Sequence, residues 1–288
     1  MDRDFLKRLE HLRLRLKRLG RRRGEGAGGE VPERGGRAEF HGHRAYAPGD
    51  DLRAVDWAAY ARTERLYVKE FTREKGRDNS ILLDASRSME SGDPSKWEYG
   101  CRVAAALAYL GLADGERVRV ALCGDGSPVA TPWLEGEKRF AEAAEFLSRA
   151  SPAGGDRPIW GLSDDGGARN ARRTAAVTDL LFDATHREGL FRALAAGEGG
   201  VFQVLAREEA EPDLLAGEWE FVDAETGRTR RMAVGEIASD AYRRELERFS
   251  REGDLHARRH GLFLGRSVTV RPFEDFLFEE LSRARWYI

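Results

Sequence analysis

The sequence predicts an α/β domain built on a doubly wound, mostly parallel sheet, preceded by a β-rich insert and an N-terminal helix. Three observations carry that prediction. From residue 80 onward, short apolar segments alternate with amphipathic ones of helical length, the pattern of a parallel sheet covered on both faces. Ahead of that region, residues 36–72 combine a Pro-Gly-Asp-Asp turn with period-two alternation around Leu66, Val68 and Glu70. Phe5, Leu9, Leu12, Leu16 and Leu19 recur at spacings of three and four, with Arg and Lys on the other faces.

Taken in order, residues 2–19 form the first helix, ended by Gly20 and the stretch RRRGEGAGGE. Its leucine stripe either packs on its own domain or, as the face of a basic amphipathic helix, meets an anionic membrane surface or a partner helix. The α/β region then reads as a strand at 80–84 (SILLD), a helix at about 96–113, a strand at 117–123 and a short strand near 128–131. A helix at about 137–149, a strand at 174–179 (TAAVTD), a helix at about 187–197 and a strand at 200–206 follow. The tail adds a hairpin at about 218–231 turning on Glu225-Thr226-Gly227, a helix near 236–252 and a last helix near 272–284. Three units result: the basic helix and its Gly/Arg linker (1–35), the β-rich segment (36–75) and the α/β domain (76–288).

The chain of 288 residues is 41% hydrophobic, enough for a substantial core. Its 48 Lys and Arg nearly balance 50 Asp and Glu, so no global basic field points to nucleic acid. Only six of the basic residues are Lys, and Arg favours planar pairing with carboxylates. Cys101 and Cys123 lie in apolar stretches and read as small core residues of a reducing compartment. No apolar run reaches the roughly 18 residues of a membrane span, and no secretory leader pattern opens the chain. A cytoplasmic location is the expectation.

The chemistry concentrates where the strand SILLD runs into Asp84-Ala85-Ser86-Arg87-Ser88-Met89. A carboxylate and two hydroxyls leave the carboxyl end of a central strand together, which is where ligands bind in open α/β sheets. Asp84, Ser86 and Ser88 are hard oxygen donors suited to Mg²⁺. Asp179, closing TAAVTD, adds a second carboxylate at a neighbouring strand end, although an Asp there can equally be a solvated loop residue or a helix cap.

These residues resemble the metal-ion-dependent adhesion site of the von Willebrand factor A fold. The whole chain is similar to a bacterial von Willebrand factor A-like family of unknown function, often encoded beside MoxR-type AAA+ ATPases. The resemblance rests on residues 45–71 (AYAPGDDLRAVDWAAYARTERLYVKEF), 82–89 (LLDASRSM), 177–183 (VTDLLFD) and 217–227 (GEWEFVDAETG). It implies a von Willebrand-type sheet, a metal held by the D-x-S-x-S loop with a Thr and an Asp from two further loops, and a MoxR-like AAA+ ATPase as partner. Where such proteins carry Gly-Gly-Thr, this chain reads Gly154-Gly155-Asp156-Arg157. Either Asp156 replaces the hydroxyl ligand, or Arg157 brings a positive charge and the site works without metal.

Asp50, Asp51, Arg53, Asp56, Trp57 and Arg62 crowd into thirteen residues. As structure, the carboxylates shape a turn and pair with arginines while Trp57 fills a core. As function, Trp57 and the arginines with Asp50 and Asp56 make a partner-binding patch. Enzyme motifs are thin: there is no G-x-x-x-x-G-K-[ST] loop, no H-E-x-x-H and no G-x-S-x-G elbow. The expected function is therefore a non-catalytic adaptor whose D-x-S-x-S face receives a partner's carboxylate. Its rival is a metal-free structural or membrane-proximal scaffold.

Overall fold

In a computed structural model of the chain, the described residues are 3–25, 39–45, 57, 60, 66–72, 78–124, 128–152, 171–212 and 217–287. Helix α1 spans Arg3–Glu25, running through Gly20 for a turn and a half beyond its expected end. Strands β1 (Glu39–Ala45) and β2 (Tyr67–Thr72) form an antiparallel pair of their own, with an irregularity between Phe40 and Gly42. The main domain follows as β3 (Asp78–Asp84), α2 (Lys96–Ala113), β4 (Arg117–Cys123), β5 (Val129–Ala130), β6 (Leu134–Glu135) and α3 (Phe140–Arg149). It continues with β7 (Arg173–Thr178), α4 (Ala184–Leu194), β8 (Glu198–Leu205), α5 (Arg207–Ala210), β9 (Gly217–Val222) and β10 (Thr229–Val234). Helix α6 (Glu236–Arg259), β11 (Phe263–Val268) and α7 (Phe273–Ala284) complete it.

The central sheet has the order β11-β8-β7-β3-β4-β5, with β6 also pairing on β4. The pairs β3–β4, β3–β7, β7–β8 and β8–β11 are parallel, and only the two short strands on β4 run antiparallel. The doubly wound expectation holds. After β3 the chain steps to one side to form β4, then crosses back to form β7 on the other side. That reversal opens a crevice between the carboxyl ends of β3 and β7, the usual ligand position in such sheets.

Two apolar layers cover the sheet. On one face α2, α3, α7 and α1 bury Val103, Leu107, Phe140, Phe276 and Leu281 against Ile81, Leu83, Val120 and Phe202. On the other, Leu190, Phe191 and Ala257 from α4 and α6 meet Leu82, Ala121, Ala176 and Val201. Alternation along β3 sends Ile81 and Leu83 to one layer and Leu82 to the other, as period-two side chains must.

The leucine stripe of α1 belongs to the first layer: Leu9, Leu12 and Leu16 have no exposed surface. Phe5 stacks on Phe273 with ring centroids 5.4 Å apart, Arg8 pairs with Glu274, and Arg15 reaches Asp275 at 3.0 Å. The stripe is thus covered by α7 and is not available to lipid or to a partner helix, which corrects that reading of its apolar face. Strand β11 had no counterpart in the sequence pattern, because Gly265 and Arg266 interrupt its apolar run. Arg266 is accommodated there by Gln203, Asp254 and the Ser250 carbonyl. Cys123 is buried and Cys101 is half-buried; burial and then Glu98 push the Cys101 thiol up to about 12. Among the described residues, no helix is long and apolar enough to cross a membrane.

Candidate functional site at the carboxyl ends of β3 and β7

Asp84 is the last residue of β3 and is 3% exposed. Its Oδ1 accepts hydrogen bonds from the Ser86 amide at 3.0 Å and the Ser86 hydroxyl at 2.7 Å. Ser86 Oγ lies 3.1 Å from Ser88 Oγ, so the two hydroxyls and the carboxylate converge in one short loop. The chain then enters a 3-10 turn (Arg87–Glu90) whose Met89 is buried under α2. Gly92 holds the loop close to the end of β8: its φ is +94°, and a Cβ there would sit 2.8 Å from the Ala206 Cβ.

From β7, the Thr178 hydroxyl donates to Asp84 Oδ2 at 2.6 Å. A threonine therefore reaches the carboxylate, though from the strand end and not from the segment around residue 154. Asp179, 1% exposed, is fixed on both oxygens: Oδ1 accepts from the Leu181 amide at 3.0 Å and Oδ2 from the Lys96 ammonium at 2.7 Å. The backbone between is strained, with Leu180 at φ +59°, and its amide is held by Thr178 Oγ1 at 3.1 Å.

Lys96 opens α2, whose first turn is capped by Ser95 accepting from the Glu98 amide. The lysine has no exposed surface and also pairs with Glu209 Oε1 at 2.5 Å. Burial works to lower its pKa, but the Asp179 and Glu209 carboxylates outweigh burial and hold it above the ordinary lysine value. Asp84 is raised as well, which for a carboxyl favours the neutral form: burial, then the nearby Asp179 charge, raise it to about 6 against the pull of Ser86 and Thr178.

A further carboxylate comes from the tip of the β9–β10 hairpin. Glu225 Oε1 accepts from the Ser88 amide at 2.7 Å, and Oε2 accepts from the Arg87 amide at 3.3 Å. The structure thus places Asp84, Ser86, Ser88 and Asp179 around one crevice, with Thr178, Lys96, Glu209 and Glu225 beside them. Thr178 could have been found as the neighbour of Asp179 in TAAVTD, and Glu225 as the charged residue of the hairpin turn. Nothing local marks Lys96 or Glu209.

The donor set is of the hard-oxygen type that suits Mg²⁺. Asp84 Oδ1 and Ser86 Oγ are 2.7 Å apart and the two Ser Oγ atoms 3.1 Å apart, hydrogen-bonded to one another. Among the described residues, no group of three or more His, Cys, Asp or Glu could hold a metal, so the hydroxyls are essential to any such site.

Asp156 of the expected ligand set, and Asp50, Arg53, Asp56 and Arg62 of the expected partner patch, lie outside the described residues. Trp57 is 59% exposed, edge-on to Tyr60 with centroids 6.2 Å apart. It does not fill a core, which corrects the structural reading of that tryptophan.

A family model described as a protein of unknown function, DUF58, matches residues 42–255. Uncharacterized proteins of Mycobacterium tuberculosis and Mycobacterium bovis are 25% identical over 208 residues, which is 70% of this chain and 65% of theirs. The chain thus spans about 65% of the length of these relatives. Among solved structures, a conserved hypothetical protein, BatB, from Bacteroides thetaiotaomicron shares 16% identity at TM-score 0.45, covering 73% of this chain and 99% of that one. An aerotolerance-related membrane protein from Bacteroides fragilis shares 18% identity at TM-score 0.40, covering 72% and 100%. The SpRpn10 VWA domain shares 15% at TM-score 0.34, covering 46% and 75%.

Proposed function

The chain belongs to the DUF58 family of proteins of unknown function, and from that premise we propose that it is a non-catalytic protein-interaction adaptor whose D-x-S-x-S loop receives a partner's carboxylate. The convergence of Asp84, Ser86 and Ser88 oxygens at the β3/β7 crevice carries this reading. Asp84, Ser86 and Ser88 would hold Mg²⁺ directly or through water, with Asp179 behind them, and the ion would join the loop to an incoming Asp or Glu. With two hydroxyls among three donors, such a site is weak until a further anion joins it. Cytoplasmic action beside a MoxR-like AAA+ ATPase is part of the same proposal, and the family resemblance supports it.

One observation favours a second reading, a metal-independent scaffold: the Lys96 ammonium already neutralises Asp179. Calorimetric titration of Mg²⁺ and Mn²⁺ separates the two. Saturable heat that disappears in Asp84→Ala, together with capture of a MoxR-like ATPase that a chelator abolishes, is the expected result. Indifference of both measurements to chelation and to Asp84→Ala would sink the metal-bridged reading and leave the scaffold.

A further inference from the structure

Among the described residues, strands β9 and β10 pair only with each other, and from Gly217 to Ala233 nearly every residue is exposed. A free two-stranded hairpin is marginal in water, yet the turn of this one is tightly built. Asp223 Oδ1 accepts from both the amide and the hydroxyl of Thr226 at 2.7 Å. The Gly227 amide donates to the Asp223 carbonyl at 2.8 Å, with Gly227 at φ +68°, and the Asp223 amide donates to the Arg228 carbonyl at 2.8 Å. The turn thus satisfies its own polar groups without using the Glu225 carboxylate. That side chain is left to project from a preorganised tip onto the Arg87 and Ser88 amides.

We infer that the β9–β10 hairpin is an internal ligand: Glu225 occupies, on the Arg87 and Ser88 amides, the position that a partner's acidic finger takes, so partner docking displaces the hairpin. This deepens the carboxylate-receiving reading above and rests on it, while assigning the receiving groups to backbone amides of this chain. It also specifies the partner's contact chemistry as a Glu at the tip of a turn. A tethered carboxylate competes at the millimolar effective concentration typical of a short connection. The docking loop is therefore closed to weak acidic ligands and open to strong ones.

The test uses the full chain, labelled with ¹⁵N, and a synthetic peptide of its own residues 222–228 (VDAETGR) as the probe. In Glu225→Ala the Ser88 and Arg87 amide protons are expected to move upfield as the charged acceptor is lost. Adding the peptide should move them back, and the parent chain should need at least ~10-fold more peptide for half-saturation than the variant. Glu220→Ala, an exposed hairpin carboxylate paired with Arg231, should leave these amides unmoved.

Amides that do not respond to Glu225→Ala would overturn the inference. So would a peptide that fails to restore them, or that binds parent and variant alike. Repeating the titrations with and without Mg²⁺ keeps the two readings apart. Peptide competition that ignores Mg²⁺ and survives Asp84→Ala would remove the metal bridge and keep the hairpin. Mg²⁺ binding with unresponsive amides would do the reverse.

Discussion

The Lys96 ammonium lies 2.7 Å from Asp179 Oδ2, with the two side chains 0% and 2% exposed. An ion pair taken this far out of water repays its desolvation only when each member keeps its partners. Here it does, since Glu209 holds a second side of the ammonium and the Leu181 amide holds the other carboxylate oxygen. The Asp179 carbonyl further accepts from Gln203, which Arg266 grips in turn. The crevice between β3 and β7 is thereby wired to β8, β11 and α6.

Lys96→Met should therefore cost about 3–5 kcal/mol, because it strands a buried carboxylate. Adding Asp179→Asn should return a large part of that loss, a coupling that urea unfolding of the two single variants and the double variant would measure. Additive losses would show that the pair is not a unit.

Stability of the metal-free chain should depend on pH through Asp84. Its folded pKa is raised from 3.8 to about 6, by burial first and then by Asp179. A carboxyl raised on folding contributes stability fully below its unfolded value and loses it as pH rises through the folded one. The window is therefore roughly pH 4 to 6. Asp84→Asn cannot titrate, so its urea midpoint relative to the parent should rise between pH 4 and pH 7 with chelator present. A flat or falling difference would contradict the assignment. The same protonation should weaken Mg²⁺ binding below about pH 6.

The central D-x-S-x-S loop was legible from sequence because its three donors lie within five residues and follow a strand directly. Lys96, Thr178, Glu209 and Glu225 come from four other elements. Only the strand order, which reverses direction about β3, brings them to one crevice. Hydrophobic periodicity fixes which faces are buried but not which strands are neighbours. The same limit explains β11: a strand containing a glycine and an arginine looks like a loop until Gln203, Asp254 and Ser250 are seen to take up the guanidinium. Trp57 shows the converse, since composition alone does not separate a core indole from an exposed one.

Gly92→Ala should destabilise by about 1–3 kcal/mol. The φ of +94° disfavours any side chain, and the added methyl meets Ala206 at 2.8 Å. Because Gly92 follows the 87–90 turn, the substitution should also raise hydrogen exchange at the Arg87 and Ser88 amides. Unchanged stability would mean that the loop can shift freely against β8.

Leu12→Ala, in α1, should cost about 2–5 kcal/mol, the range for emptying a filled core position, since Leu12 has no exposed surface. A midpoint within error of the parent in urea unfolding would mean that α1 does not share the main core.

The seam between α1 and α7 joins the first described helix to the last. During translation α1 leaves the ribosome well before α7, and until residues 273–284 follow, Leu9, Leu12 and Leu16 lack the part of their cover that α7 supplies. Between those two points the nascent chain carries a partly uncovered apolar stripe, a target for holding chaperones and a risk for aggregation between neighbouring ribosomes. This core layer closes only once α7 has been made, and a chain stalled between α1 and α7 is marked by the open stripe itself.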